Sequence, residues 1–378
     1  LETTLRQANA AADTVSAVAW ERSTFGRYAL QRLAYRDVRQ SFGLSAQVVV
    51  RLIAKVADAY KLDRKAKRTF KPLGAISYDA RILRYFPDAG AVSIWTVEGR
   101  QVIPFSCGTH HHKLLQGRRG ESDLVCRDGK WYLYTSCVVD EPTPAAVTDL
   151  IGVDLGIVNV ASDSDGHIYT GAHLNGLRHR HRRLRGKLQA KGTKSAKRLL
   201  KKRRRQESRF ARDVNHCISK SIVAEAQRTG RGVALEDLKG IRERVRAPRP
   251  QRATLHSWAF AQLGRFITYK GSIAGVPVVF VDPRNTSREC PGCGHINKAN
   301  RTTRAQFRCT ACGLAGPADT IAAMNIRVRG RAAVMRPNAG DPGGRAPAVR
   351  RAAETVLLAG DLANPRLWAR GHDRWGET

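Results

Sequence analysis

Cys290, Cys293, Cys309 and Cys312 stand as Cys-x2-Cys, an interval of fifteen residues, then Cys-x2-Cys, the spacing of metal ligands. Each pair, within Cys-Pro-Gly-Cys-Gly and Cys-Thr-Ala-Cys-Gly, turns two thiolates toward one point, and two such knuckles complete a closed tetrahedral Zn2+ site. Gly294 and Gly313 follow the pairs and suit the tight backbone required there. The plainer readings are reduced structural thiols or two disulfides. A basic chain with no visible secretory leader argues against disulfides. A filled four-thiolate site is structural and contributes roughly 10–16 kcal/mol to local folding when it takes its metal. It has no position left for a substrate, so the chemistry is expected elsewhere.

Three acids supply a second candidate. Asp154 interrupts the apolar run Leu150-Ile-Gly-Val-Asp154-Leu-Gly, Glu236 ends Gly232-Val-Ala-Leu-Glu236, and Asp319 follows Pro-Ala seven residues past the last cysteine. A carboxylate at the end of a core strand is costly when ionised and unpaired, so the fold must supply a cation. Oxygen ligands of this kind suit Mg2+ or Mn2+. Two such ions about 3.5–4 Å apart would activate water on one side and stabilise a leaving 3′ oxygen on the other, which is phosphodiester hydrolysis. Taken singly, Asp154 is also readable as a turn acid, Glu236 as a strand cap or ion-pair partner, and Asp319 as a helix N-cap. Gly152-Val-Asp-Leu-Gly156 also resembles the phosphate loop of actin-like ATPases, but a second glycine-rich loop and an adenosine pocket are not found.

The elements that position these groups are read from periodicity. Leu5, Ala8, Ala12, Val15 and Val18, then Val48, Val49, Leu52, Ile53 and Val56, mark helices in the first sixty or so residues. From about 73 to 140 the period becomes two, with strands at Ala91-Val-Ser-Ile-Trp-Thr-Val and Arg100-Gln-Val-Ile-Pro-Phe and a hairpin turn at Asp128-Gly129. The second half opens as a strand, strand, turn, strand meander through Asp163-Ser-Asp-Gly166. Leu177 to Arg212 is helical, with seventeen Lys or Arg against one acid, Glu207. Gly186 and Gly192 are expected to break it early, and Phe210, Val214, Ile218 and Ile222 then give one long helix a packing face. A solvated face or a disordered tail is the plainer reading of that charge. A basic loop at 242–252, a helix near 254–274, the strand Val276-Pro-Val-Val-Phe-Val281 and a short helix from Asp319 to Ile326 follow. Residues 335–378 read as a mostly disordered tail with one helix at 349–359.

With 378 residues, several domains are expected. Sixty-six Lys and Arg oppose thirty-two Asp and Glu, a formal charge of +34 that a polyanion would neutralise, and nucleic acid is the natural partner. No apolar run approaches a membrane span. A cytoplasmic, nucleoid-associated protein that is not secreted is the expectation, and the start at Leu1 suggests missing leading residues. Lys197, Arg198, Lys201, Lys202, Arg204, Arg205, Arg209 and Arg212 are the expected nucleic-acid contacts. Cys107, Cys126, Cys137 and Cys217 read as ordinary thiols, His110-His111-His112 as an exposed loop, and Trp95, Trp131 and Trp258 as packing rather than base-stacking residues.

The order Gly-Val-Asp154-Leu-Gly, Ala-Leu-Glu236-Asp-Leu, Thr286-Ser287, the four cysteines, then Ala318-Asp319-Thr-Ile-Ala-Ala-Met-Asn325-Ile resembles the TnpB (OrfB) family over roughly residues 75–330. These are transposon-encoded RNA-guided DNA endonucleases related to compact type V CRISPR effectors. The resemblance implies an α+β multidomain fold with a RuvC-like, ribonuclease-H-type domain at 149–284 and 317–334, basic helices at 177–228, and a zinc ribbon inserted at 285–316. It implies a helical recognition lobe at 1–72 and a wedge-like β-barrel at 73–148. It assigns Asp154, Glu236 and Asp319 to catalytic Mg2+ and the cysteines to Zn2+. It implies as partners a noncoding, transposon-end-derived guide RNA and double-stranded target DNA bearing a short adjacent motif. A CRISPR effector, an RNA-guided repressor that does not cut and a DNA strand transferase are the alternatives; the short length favours the transposon enzyme.

Overall fold

The computed structural model describes residues 1–117, 119–203, 205–238 and 260–335, together with the backbone of 353–360. Expectations on the basic loop 242–252, on Arg204, on Trp258 and on the helix before Phe260 lie outside these residues. The chain divides into two units, Leu1–Asp140 with Arg350–Thr378, and Glu141–Val349.

In the first unit, α1 (Glu2–Glu21), α2 (Arg27–Phe42) and α3 (Ala46–Leu62) pack through the apolar stripes that the spacing predicts, with Leu5, Ala8, Ala12, Val15, Val49 and Ile53 all fully buried. Tyr60 joins them, and its hydroxyl meets Ser16 Oγ at 2.9 Å, so the polar tip of a buried ring is satisfied. The strands β1 (Ile76–Tyr78), β2 (Leu83–Phe86), β3 (Ala91–Thr96), β4 (Gly99–Pro104), β5 (Arg119–Arg127) and β6 (Lys130–Val138) pair antiparallel in two sheets, β2-β3-β4 and β1-β5-β6. Tyr85 donates across them to Ser122 Oγ at 3.2 Å and meets the Thr135 hydroxyl. The β5-β6 turn carries positive φ at Asp128 and Gly129, as the Asp-Gly pair predicts.

Two expectations in this unit are corrected. The three histidines sit on helix α4 (Thr109–Gln116), not in a loop, with His112 Nε2 3.0 Å from the Pro87 carbonyl. The helix expected over 349–359 is a strand where it is described, because Ala353–Gly360 pairs antiparallel with β6 and completes that sheet's ladder.

The second unit is built on a five-stranded sheet. Its strands are β7 (Leu150–Asp154), β8 (Asn159–Asp163), β9 (Ile168–Thr170), β10 (Gly232–Glu236) and β11 (Val278–Val281), in the order β11-β10-β7-β8-β9. The first three form the predicted antiparallel meander, while β10 and β11 run parallel to β7. Helices α5 (Ala172–Lys191), α6 (Lys194–Arg203) and α7 (Gln206–Arg228) connect β9 to β10, and α8 (Phe260–Ala274) precedes β11. Alternation sorts the faces. Ile151, Val153, Val233 and Leu235 pack on Ile218, Ile222, Leu263 and Ile267, each such burial contributing about 1.5–3 kcal/mol. The opposite face, with Leu150, Ala234 and Val281, receives Ile326 of α9 (Ala318–Met335).

Gly186 does not break α5; a lone glycine costs about 1 kcal/mol in a helix, and the stop is at Gly192, φ +64°. The expected long basic helix is divided into α6 and α7, with Arg205 at φ +69° before the latter. α9 continues nine residues past Ile326. Its buried face mixes Ile321 and Ile326 with the small residues Ala318, Ala322, Ala323 and Gly330, so the apolar stripe is weak past Ile326. A Cβ on Gly152 would lie 2.0 Å from the Ala323 carbonyl, and one on Gly330 would lie 2.6 Å from Ala234 Cβ. Strand and helix therefore approach backbone to backbone.

Candidate metal centre and carboxylate site

The register of two parallel strands brings the first two acids together. Leu235 pairs with Val153 and Ala234 with Gly152, so Asp154 and Glu236 end neighbouring strands and share the face that carries Gly152 and Ala234. That is the face α9 covers, and the helix runs antiparallel to β7, with Ala323 at Gly152 and Gly330 at Leu150. Asp319 lies one turn before Ala323, about 6 Å along the axis. Asp154 lies two residues beyond Gly152, about 6.6 Å along the strand. Three acids from positions 154, 236 and 319 thus reach one end of the sheet.

Their mutual effect is electrostatic. Burial, then the Glu236 and Asp319 charges, push the Asp154 carboxyl up to about 7, against the opposing pull of Arg301 and the Leu155 N–H. Burial also raises Glu236, which Thr286 and Arg329 pull down and Asp282 pushes further up. Glu236 Oε1 accepts from Thr286 Oγ1 at 2.5 Å. Asp319 accepts from Asn159 Nδ2 at 2.9 Å and from the Arg301 guanidinium at 3.3 Å. Sequence reasoning missed Asn159 and Arg301. Each is a polar residue in an ordinary context, one on β8 and one between the knuckles, and only the fold brings them to Asp319. Thr286 was visible as part of a motif but not as the partner of Glu236.

The four cysteines converge as their spacing predicts. Cys290 and Cys312 are 3.6 Å apart at sulfur, Cys293 and Cys309 likewise, and all four sulfurs lie within 4.8 Å of one another. A disulfide needs about 2.05 Å. Thiolates at about 2.3 Å from one tetrahedral ion stand about 3.8 Å apart, so the set fits a metal. Gly294 and Gly313 both take left-handed φ, closing turns in which Gly294 N–H donates to Cys290 O and Gly313 N–H to Cys309 O. The buried Asn300 side chain joins the two halves: it donates to Arg288 O and His295 O and accepts from Thr310. Strands β12 (Gln306–Arg308) and β13 (Ala315–Pro317) complete the ribbon, and Phe307 packs with Ala318 and Ile321 of α9. Among the described residues the carboxylates form no ligand set this tight.

The basic helices present Lys197, Arg198, Lys201, Lys202, Arg205, Arg209 and Arg212 exposed. Glu207 of α7 pairs with Arg178 at 3.7 Å and Arg185 at 3.5 Å and joins α5 to α7. Cys107 and Cys126 are partly buried, Cys137 buried and Cys217 exposed. Trp95 and Trp131 pack against the first unit's core.

The ends of β7 and β10 and the first turn of α9 thus carry three acids beside a four-cysteine ribbon. Residues 133–240 match the OrfB family model described as "Probable transposase", and residues 260–326 match the Cas12f1-like TNB domain. The chain is 30% identical over 220 residues to a CRISPR-associated endodeoxyribonuclease Cas12f1 of Sulfoacidibacillus thermotolerans, covering 53% of this chain and 51% of that one. It is 34% identical over 131 residues to TnpB-like protein MJ0751 of Methanocaldococcus jannaschii, covering 34% and 46%. It is 25% identical over 225 residues to InsQ of Escherichia coli (strain K12), named as a candidate RNA-guided DNA endonuclease, covering 54% and 55%. The likeness to the TnpB (OrfB) family drawn from the motifs is borne out over these residues. The chain spans about half the length of the curated relatives it matches.

Proposed function

We propose that the chain is the RNA-guided DNA endonuclease of a transposon, cutting target DNA beside a short adjacent motif by metal-assisted phosphodiester hydrolysis. The observation that carries this reading is the convergence of Asp154, Glu236 and Asp319, with Asp154 pushed up to about 7 by burial and its two neighbours. Arg301 and Arg329 only partly offset the three acids, and the cluster offers oxygen donors, the donor set that Mg2+ or Mn2+ takes. Bound divalent ions would supply activation of water and stabilisation of the leaving oxygen. The protein's part is to hold three carboxylates together at one end of the sheet, with Asn159 and Arg301 fixing Asp319 and Thr286 fixing Glu236. The strand order β11-β10-β7-β8-β9, with β7 at its centre, supports a ribonuclease-H-type, RuvC-like domain. The four cysteines would hold Zn2+ as the structural metal of a ribbon.

The exposed Lys and Arg of α6 and α7 would neutralise nucleic-acid phosphates, with Arg204 in the same run. The helices of 1–72 and the strands of 73–148 would serve as recognition lobe and wedge, holding a transposon-end-derived guide RNA and reading the adjacent motif while base pairing selects the target. No helix of the described residues is long and apolar enough to cross a membrane, and a prokaryotic cytoplasm is the proposed compartment.

The test is to purify the chain with its RNA, sequence that RNA, supply Mg2+ and matched double-stranded DNA, and compare Asp154→Ala. Loss of cleavage with binding retained is expected, and unchanged cleavage refutes the assignment. A repeat-derived RNA would move the chain to the CRISPR effectors.

A further inference from the structure

The loop leaving β11 toward the first knuckle has a role the motif alone did not disclose. Thr286 and Asn325 are both buried, at 3% and 4% exposure, far from each other in sequence and outside the carboxylate set. The Thr286 hydroxyl is 2.5 Å from Glu236 Oε1 and 3.1 Å from the Pro283 carbonyl. A hydroxyl has one proton, and the shorter, charge-assisted contact takes it. Asn325 Nδ2 spends both of its protons on this loop, one on Thr286 O at 2.8 Å and one on Glu289 O at 2.7 Å. Asn325 stands on α9, the helix that carries Asp319, and Glu289 precedes Cys290. The chain of bonds Glu236, Thr286, Asn325 therefore joins the second carboxylate to the helix of the third and to the root of the ribbon.

We propose that Thr286 is a positioning residue for Glu236, held in place by Asn325, so that one Glu236 oxygen is fixed on the hydroxyl and the other is aimed at a divalent cation. This inference rests on the carboxylate site proposed above. Partners of this kind orient a ligating carboxylate, and their removal typically lowers metal affinity about 10- to 100-fold. A residue that only fills space would be replaced by an isostere without that loss. Valine keeps the shape of threonine and loses the hydroxyl; serine loses the methyl and keeps it.

The experiment is a Mn2+ titration of the full, zinc-loaded chain, read by loss of the free Mn2+ resonance signal, on Thr286→Val, Thr286→Ser and Glu236→Gln, with zinc content and Tm measured alongside. Thr286→Val is expected to weaken Mn2+ binding about 10-fold or more and Thr286→Ser to stay within about 3-fold of the unaltered chain. Serine and valine variants that lose affinity equally, or a valine variant that loses none while Glu236→Gln does, would overturn the proposal. If Glu236→Gln itself binds Mn2+ as the unaltered chain does, the carboxylate site is what fails. Where Thr286→Val melts early, Thr286→Ala against Thr286→Ser makes the same comparison.

Discussion

Gly152→Ala tests the contact that sets the height of Asp319 against Asp154. The added methyl would lie 2.0 Å from the Ala323 carbonyl, 2.5 Å from the Arg327 nitrogen and 2.9 Å from Arg327 Cβ, where ordinary contact begins at 3.4 Å. Helix and strand must separate by about 1.4 Å, and neither neighbour is a flexible chain end that can swing away. Overpacking of this kind costs about 1–3 kcal/mol. For a unit of this size that lowers Tm by about 2–4 °C for each kcal/mol. The helix carries Asp319 with it, and a misplacement of about 1 Å at a reacting centre costs about 100-fold in rate. Thermal unfolding and single-turnover cleavage of matched DNA measure the two effects. Gly186→Ala is the control: nothing lies within 4 Å of its added methyl, and it should be neutral or stabilise by up to about 1 kcal/mol. A Gly152→Ala protein that melts and cuts like the unaltered chain would show that β7 and α9 are not in backbone contact and would refute the geometric derivation of the site.

Asp154 titrates near 7 when folded against 3.8 for an ordinary Asp, so between those values the folded chain binds more protons than the unfolded one. Its contribution to stability is complete below the unfolded value and is lost as pH rises through about 7. Tm of the metal-free chain should fall across that window, Asp154→Asn should flatten the fall, and Mg2+ should stabilise more at the alkaline end, all checked by melting with and without the ion. If the four cysteines hold the proposed zinc, Cys309→Ser or a strong chelator should remove it and loosen the packing of Phe307 on Ala318 and Ile321, read by metal analysis and by hydrogen exchange at the start of α9. Replacing Lys201 and Lys202 with Ala should flatten the salt dependence of duplex binding by about 0.9 in log slope for each phosphate that is no longer neutralised. An unchanged slope would remove those lysines from the interface.

The site was legible where one residue type at fixed spacing dictates one outcome. Four thiols in two knuckles have few uses, and Asp154 and Glu236 stand out because each ends an apolar strand. The meander and the Asp128-Gly129 hairpin were legible for the same local reason, period two ended by a turn that needs positive φ. What was not legible depends on partners distant in sequence. The extension of α9 past Ile326 rests on Arg327 meeting Gly152 and pairing with Asp149, and on Gly330 fitting against Ala234 and Leu150, contacts that no apolar stripe announces. The strand at Ala353–Gly360 is set by the open edge of β6, which outweighs the helical reading of its own sequence. Arg301 and Asn159 acquire meaning only when the ribbon and β8 are folded beside Asp319.

The ribbon's position between the second and third acids has a physical consequence. Its hairpin ends at Pro317 and α9 starts at Ala318, whose N–H donates to Ala305 O, so the ribbon's backbone holds the first turn of the helix that bears Asp319. Phe307 packs on that same turn, and Arg301, one residue past the Asn300 that stitches the knuckles together, reaches the Asp319 carboxylate. At the other root, Arg329 of α9 pairs with Glu289 beside Cys290 and donates to the carbonyls of Asp282 and Arg284. Both ends of the ribbon are thus bonded to α9. The four-cysteine ribbon is, through that helix, part of what fixes Asp319.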